Sequence, residues 1–258
     1  MSSSKKILLL GREDKQTAIL YHSLQSEFQI ARVVVEKGES RVELVKRRMK
    51  RQGLRKTLGQ VAFRTTVMPW LRWRSRSRIR QIIQEFRLDC SALPVRCLIK
   101  VRSVNSEETI DILQEIKPDV VVVSGTRIIS ARVLHCVKAV FINMHAGITP
   151  IYRGVHGGYW ALVQNDRNTC GVTVHEVDSG VDTGRILGQA RISPKGSDNF
   201  VTYGFLQIAT GLPLLKKAVR DAVRGQLQPA ATPAGTSQLW THPTLGEYLH
   251  HWLTSGVK

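Results

Sequence analysis

Acidic residues and paired cysteines are scarce in this chain. Its 258 residues include 20 aspartates and glutamates against 38 lysines and arginines, so the net charge is +18. The four cysteines form no Cys-x-x-Cys pair and are scattered at Cys90, Cys97, Cys136 and Cys170. Such spacing argues against a disulfide framework or a cysteine zinc site, so we expect reduced thiols and no bound metal.

Long hydrophobic runs are also missing. The first apolar run, residues 7–10, follows a polar and basic start and is too short for a signal peptide or a membrane span. We therefore expect a cytoplasmic protein. Its excess of positive charge favours an anionic partner, and composition alone does not say which kind.

What the chain does have is enough hydrophobic residues, 42%, to bury a core, arranged in short runs. Residues 5–11, 30–35, 118–125 and 139–143 are apolar or β-branched runs, and residues 17–28 have a helical pattern. Strands that alternate with helices predict a mostly parallel sheet, whose functional sites lie beyond the carboxyl ends of the strands. The predicted fold class is therefore α/β, with a Rossmann-like sheet and flanking helices.

The second half of the chain changes pattern. Residues 172–177 and 185–192 alternate in polarity and are separated by turn residues, which predicts two strands added antiparallel at the side of the sheet. Residues 199–224 predict a long helix. We expect one catalytic domain over residues 1–225 and a short C-terminal extension over residues 226–258 that helps the protein form a homodimer.

An arginine-rich insertion, placed at about residues 39–90, interrupts the predicted alternation. Its apolar residues at helical spacing predict a pair of helices between the second and third predicted strands. Three interpretations stay open: a solvated charged face, an amphipathic helix on an anionic membrane surface with Trp70 and Trp73 at the interface, or contact with nucleic-acid phosphates. The membrane interpretation would make the cytoplasmic protein peripheral to the membrane.

Asn143 and His145 stand where a site is expected, at the end of a buried strand. They are two residues apart, so in extended backbone both side chains face the same side. An amide and an imidazole are able to stabilise a developing oxyanion, and the imidazole is able to move a proton. Asp182, from a later loop, is placed to orient the histidine and to favour its charged form. The combination suits acyl transfer through a tetrahedral intermediate, although each motif alone is more often a structural turn.

Between about residues 118 and 192 the sequence resembles the 10-formyltetrahydrofolate-dependent formyltransferase family, in its N-terminal-type catalytic domain. The family's Asn-x-His falls on Asn143 and His145, and its Asp-Thr-Gly aspartate falls on Asp182. Its proline loop with Arg-Gly falls on Arg153. Because three separated motifs recur in order, the resemblance is specific. It implies a folate-dependent N-formyltransferase in which Asn143 and protonated His145 stabilise the oxyanion and Asp182 supports the histidine.

The resemblance also implies a binding site for 10-formyltetrahydrofolate, which is the co-substrate of the family. The family's folate-binding loop resembles Arg127, Ile128 and Ile129, where backbone groups would hold the pterin. The other side of the pterin pocket would be closed by the loop before the aspartate, with Val177, Asp178 and Val181.

The acceptor amine is expected to contact a further set of side chains, namely Arg153, His156, Tyr159 and His175. His156 and Tyr159 belong to a predicted helix, and they either pack it on the sheet or line the acceptor pocket. His175 lies inside a predicted strand and belongs either to the pocket or to the core. Arg153 comes from the family's proline loop.

The identity of the acceptor is inferred by exclusion. Residues 11–14, Gly-Arg-Glu-Asp, replace the glycine- and serine-rich loop that grips phosphate in glycinamide ribonucleotide enzymes. The chain is also shorter than expected for the separate C-terminal domain of methionyl-tRNA formyltransferases. The first expectation is therefore a small amine such as an amino sugar or its nucleotide. Two alternatives stay open: a 10-formyltetrahydrofolate hydrolase that releases formate, and a non-catalytic basic binding module.

Overall fold

The computed structural model describes residues 5–38 and 40–258, so the predicted start of the insertion, Glu39, lies outside the described residues. Its strands are β1 (Ile7–Gly11), β2 (Ile30–Glu36), β3 (Leu98–Val101), β4 (Val120–Ser124), β5 (Val140–His145), β6 (Tyr152–Gly154), β7 (Gly171–Glu176), β8 (Ile186–Arg191) and β9 (Gln238–Trp240). Within those ranges one sheet has the order β3-β2-β1-β4-β5-β7-β8, and β6 pairs with β9. The strands from β3 to β5 in this order run parallel, whereas β7 and β8 are added antiparallel at one side. The predicted fold class, a mostly parallel Rossmann-like sheet, is confirmed.

Helices cover both faces of this sheet. They are α1 (Lys15–Gln25), α2 (Arg41–Gln52), α3 (Leu54–Ala62), α4 (Met68–Arg74), α5 (Arg76–Glu85), α6 (Glu107–Ile116), α7 (Ala131–Leu134), α8 (Gly157–Val163), α9 (Phe200–Val223) and α10 (Leu245–Ser255). A π-helical turn, Phe63–Val67, joins α3 to α4. In the part of the chain that the structure describes, no helix is both long enough and apolar enough to cross a bilayer.

The central strands are buried on both faces because their side chains are almost all leucine, isoleucine or valine. Every residue of β1 and β4 is buried, as their continuous apolar runs predicted. On one face, residues such as Leu9 and Val122 pack with α1 and α9. On the other face, Leu10 and Val123 belong to a second cluster with α6 and α7. The functional end of the sheet is thus supported by a core on each side.

Two features differ from the expectations drawn from the sequence. The sequence patterns do not predict β3, because this edge strand has four residues and its Lys100 faces solvent. The described part of the insertion contains α2, α3, α4 and α5, so the prediction of a pair of helices is wrong. Gly53 and Ser75 divide the helical pattern without a polar loop, which is why the sequence did not reveal these extra boundaries.

The insertion is anchored to the amino end of α9. Arg78 of α5 donates two hydrogen bonds, of 2.8 and 3.1 Å, to the fully enclosed carboxylate of Asp198. Asn199 caps α9 and donates to the hydroxyl of Ser75 at 2.7 Å. A buried carboxylate is strongly destabilising without its partner, so this ion pair fixes the insertion to the sheet domain.

The C-terminal residues fold back over the same region. β9 pairs in parallel with β6, and Trp240 stacks between Tyr152 and Trp160 with ring centroids 5.9 and 4.7 Å away. Tyr248 of α10 is buried and contacts Phe63 in the insertion. Residues on the two sides of the predicted boundary at residue 226 therefore pack together.

Candidate active site

Asn143 and His145 lie at the carboxyl end of β5, where β5 pairs with the antiparallel strand β7. Asn143 is opposite His175, and His145 is opposite Thr173. Alternation along β5 turns Met144 into the core, so Asn143 and His145 face the other side of the sheet together. His145 is buried whereas Asn143 is half-buried, so the amide is the more accessible of the two groups.

Asp182 reaches both histidines from the loop between β7 and β8. Its backbone has a φ of 52°, in the left-handed region that aspartate tolerates better than most residues. Its Oδ2 lies 3.3 Å from Nδ1 of His145 and accepts a 2.8 Å hydrogen bond from the Gly154 N–H. Its Oδ1 lies 3.6 Å from Nε2 of His175. The fold thus brings Asn143, His145 and Asp182 into one cluster with His175.

Hydrogen bonds orient both histidine rings. Nδ1 of His175 lies 2.6 Å from the Glu176 carbonyl oxygen, so this nitrogen carries a proton and donates. Nε2 of His175 lies 3.2 Å from Nδ2 of Asn143 and 3.6 Å from Oδ1 of Asp182. Nε2 of His145 donates in the same way to the Tyr152 carbonyl at 2.7 Å, and its Nδ1 faces the Asp182 carboxylate. An amide has two N–H groups, so Asn143 keeps a second one for a ligand.

Burial and the facing polar groups shift the pKa values of His145 and Asp182. Burial lowers the pKa of His145, and the Asp182 carboxylate and the Tyr152 carbonyl oppose this shift without cancelling it. Burial by itself would raise the pKa of Asp182, but its interactions with His175, His145 and the Gly154 N–H lower that pKa overall. Burial thus opposes the protonated form of His145 that the sequence predicts, whereas the Asp182 carboxylate at 3.3 Å and the Tyr152 carbonyl favour it.

Two glycines allow the surrounding loops to approach this closely. A Cβ at Gly184 would collide with the Glu176 carbonyl, and a Cβ at Gly154 would collide with the Trp240 carbonyl. Gly154 also has a φ of 95°, which L side chains rarely adopt. The glycines of the Asp-Thr-Gly and Arg-Gly motifs therefore have a packing role around Asp182.

The predicted cofactor loop follows β4 at the same end of the sheet. Arg127 donates through Nε to Glu36 at 2.6 Å, and its backbone N–H donates to the same carboxylate at 2.9 Å. Ile129 is buried in the core, whereas Ile128 is 57% exposed. Arg127 thus anchors the loop to β2, and Ile128 is the apolar side chain that the loop presents to solvent.

The other predicted cofactor segment is the loop before Asp182, and it begins with Val177 and Asp178. Val177 packs on the hydrophobic cluster that contains Ile129, so the two segments border the same region. Asp178 accepts a 2.8 Å hydrogen bond from the threonine hydroxyl five residues later, which closes a turn. The Val181 carbonyl accepts a 3.1 Å hydrogen bond from Arg153. Arg153 therefore connects the proline loop to the loop that carries the aspartate.

Tyr159 is buried and His156 is half-buried within a cluster of aromatic rings. His156 has a left-handed backbone, with a φ of 60°, and its ring centroid lies 4.3 Å from that of Phe200. Its Nε2 lies 2.9 Å from Nδ1 of His242. Tyr159 packs against Phe200 and Tyr248. Rings of α9 and of the C-terminal residues pack against both side chains, and their acceptor role stays a prediction.

Acid is expected to destabilise the fold through the His156–His242 pair. Burial, reinforced by nearby arginines, lowers the pKa of His156 to about 3, and burial lowers the pKa of His242 to about 2. The unfolded chain binds these protons from near pH 6.5 downwards. Stability that is present at neutral pH is therefore lost as the pH falls from about 6.5 towards 3. Each ring increases the slope of the free energy of unfolding against pH by up to about 1.4 kcal/mol per pH unit.

His242→Gln is expected to flatten this pH dependence of the free energy of unfolding, since it removes one of the two buried groups that titrate. Urea unfolding at several pH values between about 7 and about 4 measures the slope. His250→Gln, at an exposed position on α10, is the matched control and should leave the slope unchanged. An identical slope in H242Q and in the parent protein would contradict the lowered pKa of His242.

Some contacts around the cluster were not predicted from the sequence. The Tyr152 carbonyl orients His145, and a polar network holds the loop between them. In that network Gln189 donates to the Thr149 carbonyl at 2.7 Å, and the Thr173 hydroxyl donates to the Gly147 carbonyl at 2.7 Å. The signal for this network was the presence of polar Thr173 and Gln189 within two strands that border the core.

Comparisons with known proteins extend this picture. Residues 23–203 match the protein family described as formyl transferase. A methionyl-tRNA formyltransferase of Kosmotoga olearia is 29% identical over 168 residues, which are 65% of this chain and 50% of the relative. A GDP-perosamine N-formyltransferase of Brucella melitensis is 30% identical over 124 residues, 48% of each chain. The chain thus spans about half the length of the curated relatives it matches.

Among solved structures, the chain is similar to an N-formyltransferase from Helicobacter canadensis in complex with folinic acid and dTDP-3-aminofucose. The TM-score is 0.54 at 17% identity, and the match covers 92% of this chain and 70% of that chain. At this identity the likeness concerns the fold.

Proposed function

The chain belongs to the formyl transferase family, and on that premise we propose that it transfers a formyl group from 10-formyltetrahydrofolate to a primary amine of a small molecule. The observation that carries the proposal is the cluster of Asn143, His145 and Asp182 at the carboxyl end of β5, in which Asp182 lies 3.3 Å from His145. An amide donor, an imidazole and an ionised carboxylate suit acyl transfer between two nitrogen atoms.

In the proposed reaction the lone pair of the neutral amine attacks the formyl carbon, and the formyl oxygen becomes an oxyanion. The second N–H of Asn143 stabilises that oxyanion. The bond between the formyl carbon and N10 of the folate then breaks, and a proton lost by the attacking nitrogen is gained by N10. The products are a formamide and tetrahydrofolate, so atoms and charge balance.

His145 and Asp182 act on the protons of this reaction. Asp182, held by the Gly154 N–H and by the histidines, supports the imidazole and relays the proton towards N10 through water. The negative charge of the tetrahedral intermediate and the Asp182 carboxylate both favour the protonated form of His145, against the effect of burial. The protonated ring then adds to the stabilisation of the oxyanion.

The proposed acceptor is an amino sugar or its nucleotide. The names of the Brucella melitensis relative and of the Helicobacter canadensis complex support this class. Arg153 beside the Asp182 loop offers a positive charge, and its buried Nε has no hydrogen-bond partner within residues 5–38 and 40–258. A tRNA acceptor is the alternative that the Kosmotoga olearia relative supports. Transfer of labelled formyl groups to amino-sugar nucleotides or to methionyl-tRNA distinguishes the two.

Calorimetric titration with 5-formyltetrahydrofolate, a stable analogue of the co-substrate, tests the proposal. We expect saturable binding to one site that His145→Ala leaves intact. Absence of binding at high concentration would reject a folate-dependent enzyme and favour the non-catalytic basic binding module. If the analogue binds, release of formate from 10-formyltetrahydrofolate without any amine would identify the hydrolase instead.

Ile128→Ser is expected to weaken the binding of 5-formyltetrahydrofolate roughly tenfold, because the bound pterin would cover this exposed side chain. Val95→Ser is the matched control, since it removes another exposed β-branched side chain outside the loop. Calorimetry on both variants measures the difference. If I128S binds the analogue as tightly as V95S does, Ile128 does not belong to the cofactor site.

Other expectations drawn from the sequence keep the status of predictions. They are the homodimer, the cytoplasmic location, and an anionic membrane surface or a nucleic acid as a partner of the basic insertion. Size-exclusion chromatography with light scattering tests the homodimer directly, because a single species of 29.0 kDa would contradict it.

A further inference from the structure

The basic insertion carries most of the net charge of the chain. Residues 40–87 contain fifteen lysines and arginines but only two acids, Glu43 and Glu85, so they contribute +13 of the total of +18. The reaction proposed at Asn143 does not use this charge. A concentration of one sign of charge in one segment points to an anionic partner for that segment.

Six large apolar side chains are exposed on three helices of the same region. They are Leu54 and Leu58 of α3, Trp70 and Trp73 of α4, and Leu249 and Leu253 of α10. Within each pair the residues are three or four positions apart, so each pair occupies one face of its helix. We call these six residues the apolar surface.

The helices that carry the apolar surface pack against one another. Trp70 of α4 lies 6.0 Å from Trp252 of α10, between ring centroids. Gln60 near the end of α3 donates a 2.7 Å hydrogen bond to the carbonyl of His242, just before α10. The π-helical turn makes α3 and α4 one continuous helical run. The apolar surface is therefore held on a packed unit of helices and does not depend on a loop.

Basic side chains border the apolar surface. Arg72, Arg74 and Arg76 are exposed beside the two tryptophans, and the guanidinium of Arg74 lies 5.9 Å from the centre of the Trp70 ring. Arg55 is exposed next to the first leucine of α3. Exposed tryptophan and leucine surrounded by arginine is the composition of helices that lie in a membrane interface.

We propose that the apolar surface docks the protein on an anionic lipid bilayer. The tryptophans and leucines enter the interfacial region, and the surrounding arginines contact lipid phosphates. A nucleic acid fits these residues less well, because exposed leucines add nothing to phosphate binding. Docking would hold the active site near an amine displayed at the membrane. That consequence rests on the proposed function, whereas the docking itself does not.

Sedimentation of the purified full chain with large unilamellar vesicles tests this proposal. Vesicles of phosphatidylcholine alone are compared with vesicles that contain about 30% phosphatidylglycerol, at about 0.1 M salt. We expect the anionic vesicles to bind at least about tenfold more tightly than the neutral ones. Equal or undetectable binding to both kinds of vesicle would overturn the proposal.

Trp73→Ser and Leu253→Ser are each expected to weaken binding to the anionic vesicles roughly fivefold, since each removes apolar area that enters the interface. Val95→Ser again serves as the control, because Val95 is exposed but lies outside the apolar surface. Both positions are largely exposed, at 62% for Trp73 and 83% for Leu253, so neither change removes core packing. If both variants bind the anionic vesicles as tightly as the parent protein does, the protein adsorbs by charge alone. That result would overturn the role of the apolar surface.

The double variant Arg72→Glu with Arg76→Glu tests the contribution of charge. Each basic residue near an anionic surface strengthens binding about fivefold, so we expect a loss of roughly 25-fold or more. Lys138→Glu with Arg191→Glu makes the same change in net charge at exposed positions outside the insertion and should cost much less. Equal losses in the two double variants would show that net charge, and not this surface, drives binding.

A gel shift with tRNA and calorimetry with 5-formyltetrahydrofolate complete the test. A salt-sensitive tRNA complex without vesicle binding would assign the insertion to nucleic acid and overturn lipid docking. The variants of the apolar surface should bind the folate analogue like the parent protein. If the parent protein binds the folate analogue but not the anionic vesicles, only the docking proposal is rejected. If it binds the vesicles but not the folate analogue, only the proposed function is rejected.

Discussion

Asn143→Ala is expected to lower kcat about 10²- to 10³-fold, which is the usual loss when one oxyanion donor is removed. In the structure this amide is half-buried at the end of β5, with its nitrogen 3.2 Å from Nε2 of His175. The second N–H is then positioned for the formyl oxygen. Because that bond strengthens as charge develops, the affinity for 5-formyltetrahydrofolate should change by less than about twofold.

His145→Ala and Asp182→Ala are expected to lower kcat to a similar extent, because they remove the imidazole and the carboxylate that lie 3.3 Å apart. Asn143→Ala combined with His145→Ala should cost less than the product of the single losses, since both groups act on one intermediate. Single-turnover transfer of a labelled formyl group measures these effects. Asn168→Ala removes an exposed amide elsewhere and is the control. Activity in N143A or H145A within about threefold of the control would reject the assignment.

Tyr248→Ala is expected to lower the free energy of unfolding by about 3–5 kcal/mol, as large-to-small changes of buried aromatic residues do. The ring is 1% exposed, and its centroid lies 5.0 Å from that of Phe63 and 6.4 Å from that of Phe200. It therefore fills the space between the insertion, α9 and the C-terminal helix. Removing it would leave a cavity where three parts of the chain meet.

The matched change Tyr248→Phe keeps the ring and removes only the hydroxyl. That hydroxyl is buried without a hydrogen-bond partner among the residues that the structure describes, so Y248F should be as stable as the parent protein or slightly more stable. Urea unfolding at pH 7 compares the two variants. A loss in Y248A below about 1 kcal/mol would mean that α10 contributes little to the fold and that the C-terminal residues behave as a separate extension.

The central strands could be predicted because burial on both faces selects the same residue types at every position. β1 and β4 are runs of isoleucine, leucine and valine, and both are buried throughout. β3 carries no such pattern, because it is a short edge strand with Lys100 in solvent. The basic insertion was located correctly as helical, but Gly53 and Ser75 divide it without the polar loops that mark helix boundaries in a sequence.

Motif order was enough to select Asn143, His145 and Asp182 as candidates, whereas the direction of other side chains was not predictable. His156 adopts a left-handed backbone at the start of α8, and its ring partner, His242, comes from the C-terminal residues. The local sequence of a helix does not specify which distant segment packs against it. The sequence therefore did not predict that His156 and Tyr159 pack against Phe200, and their acceptor role stays a prediction.

The sequence by itself determined the class of fold, the order of the motifs and the chemical groups available, because periodicity and residue type are local properties. Only the tertiary structure decided that Asp182 also reaches His175 and that His175 lies against the Asn143 amide. It also decided that Trp240 stacks between Tyr152 and Trp160, beside the loop whose backbone holds the aspartate. The entropy of loop closure depends only weakly on which distant residues meet, so packing and burial, and not local pattern, select these contacts.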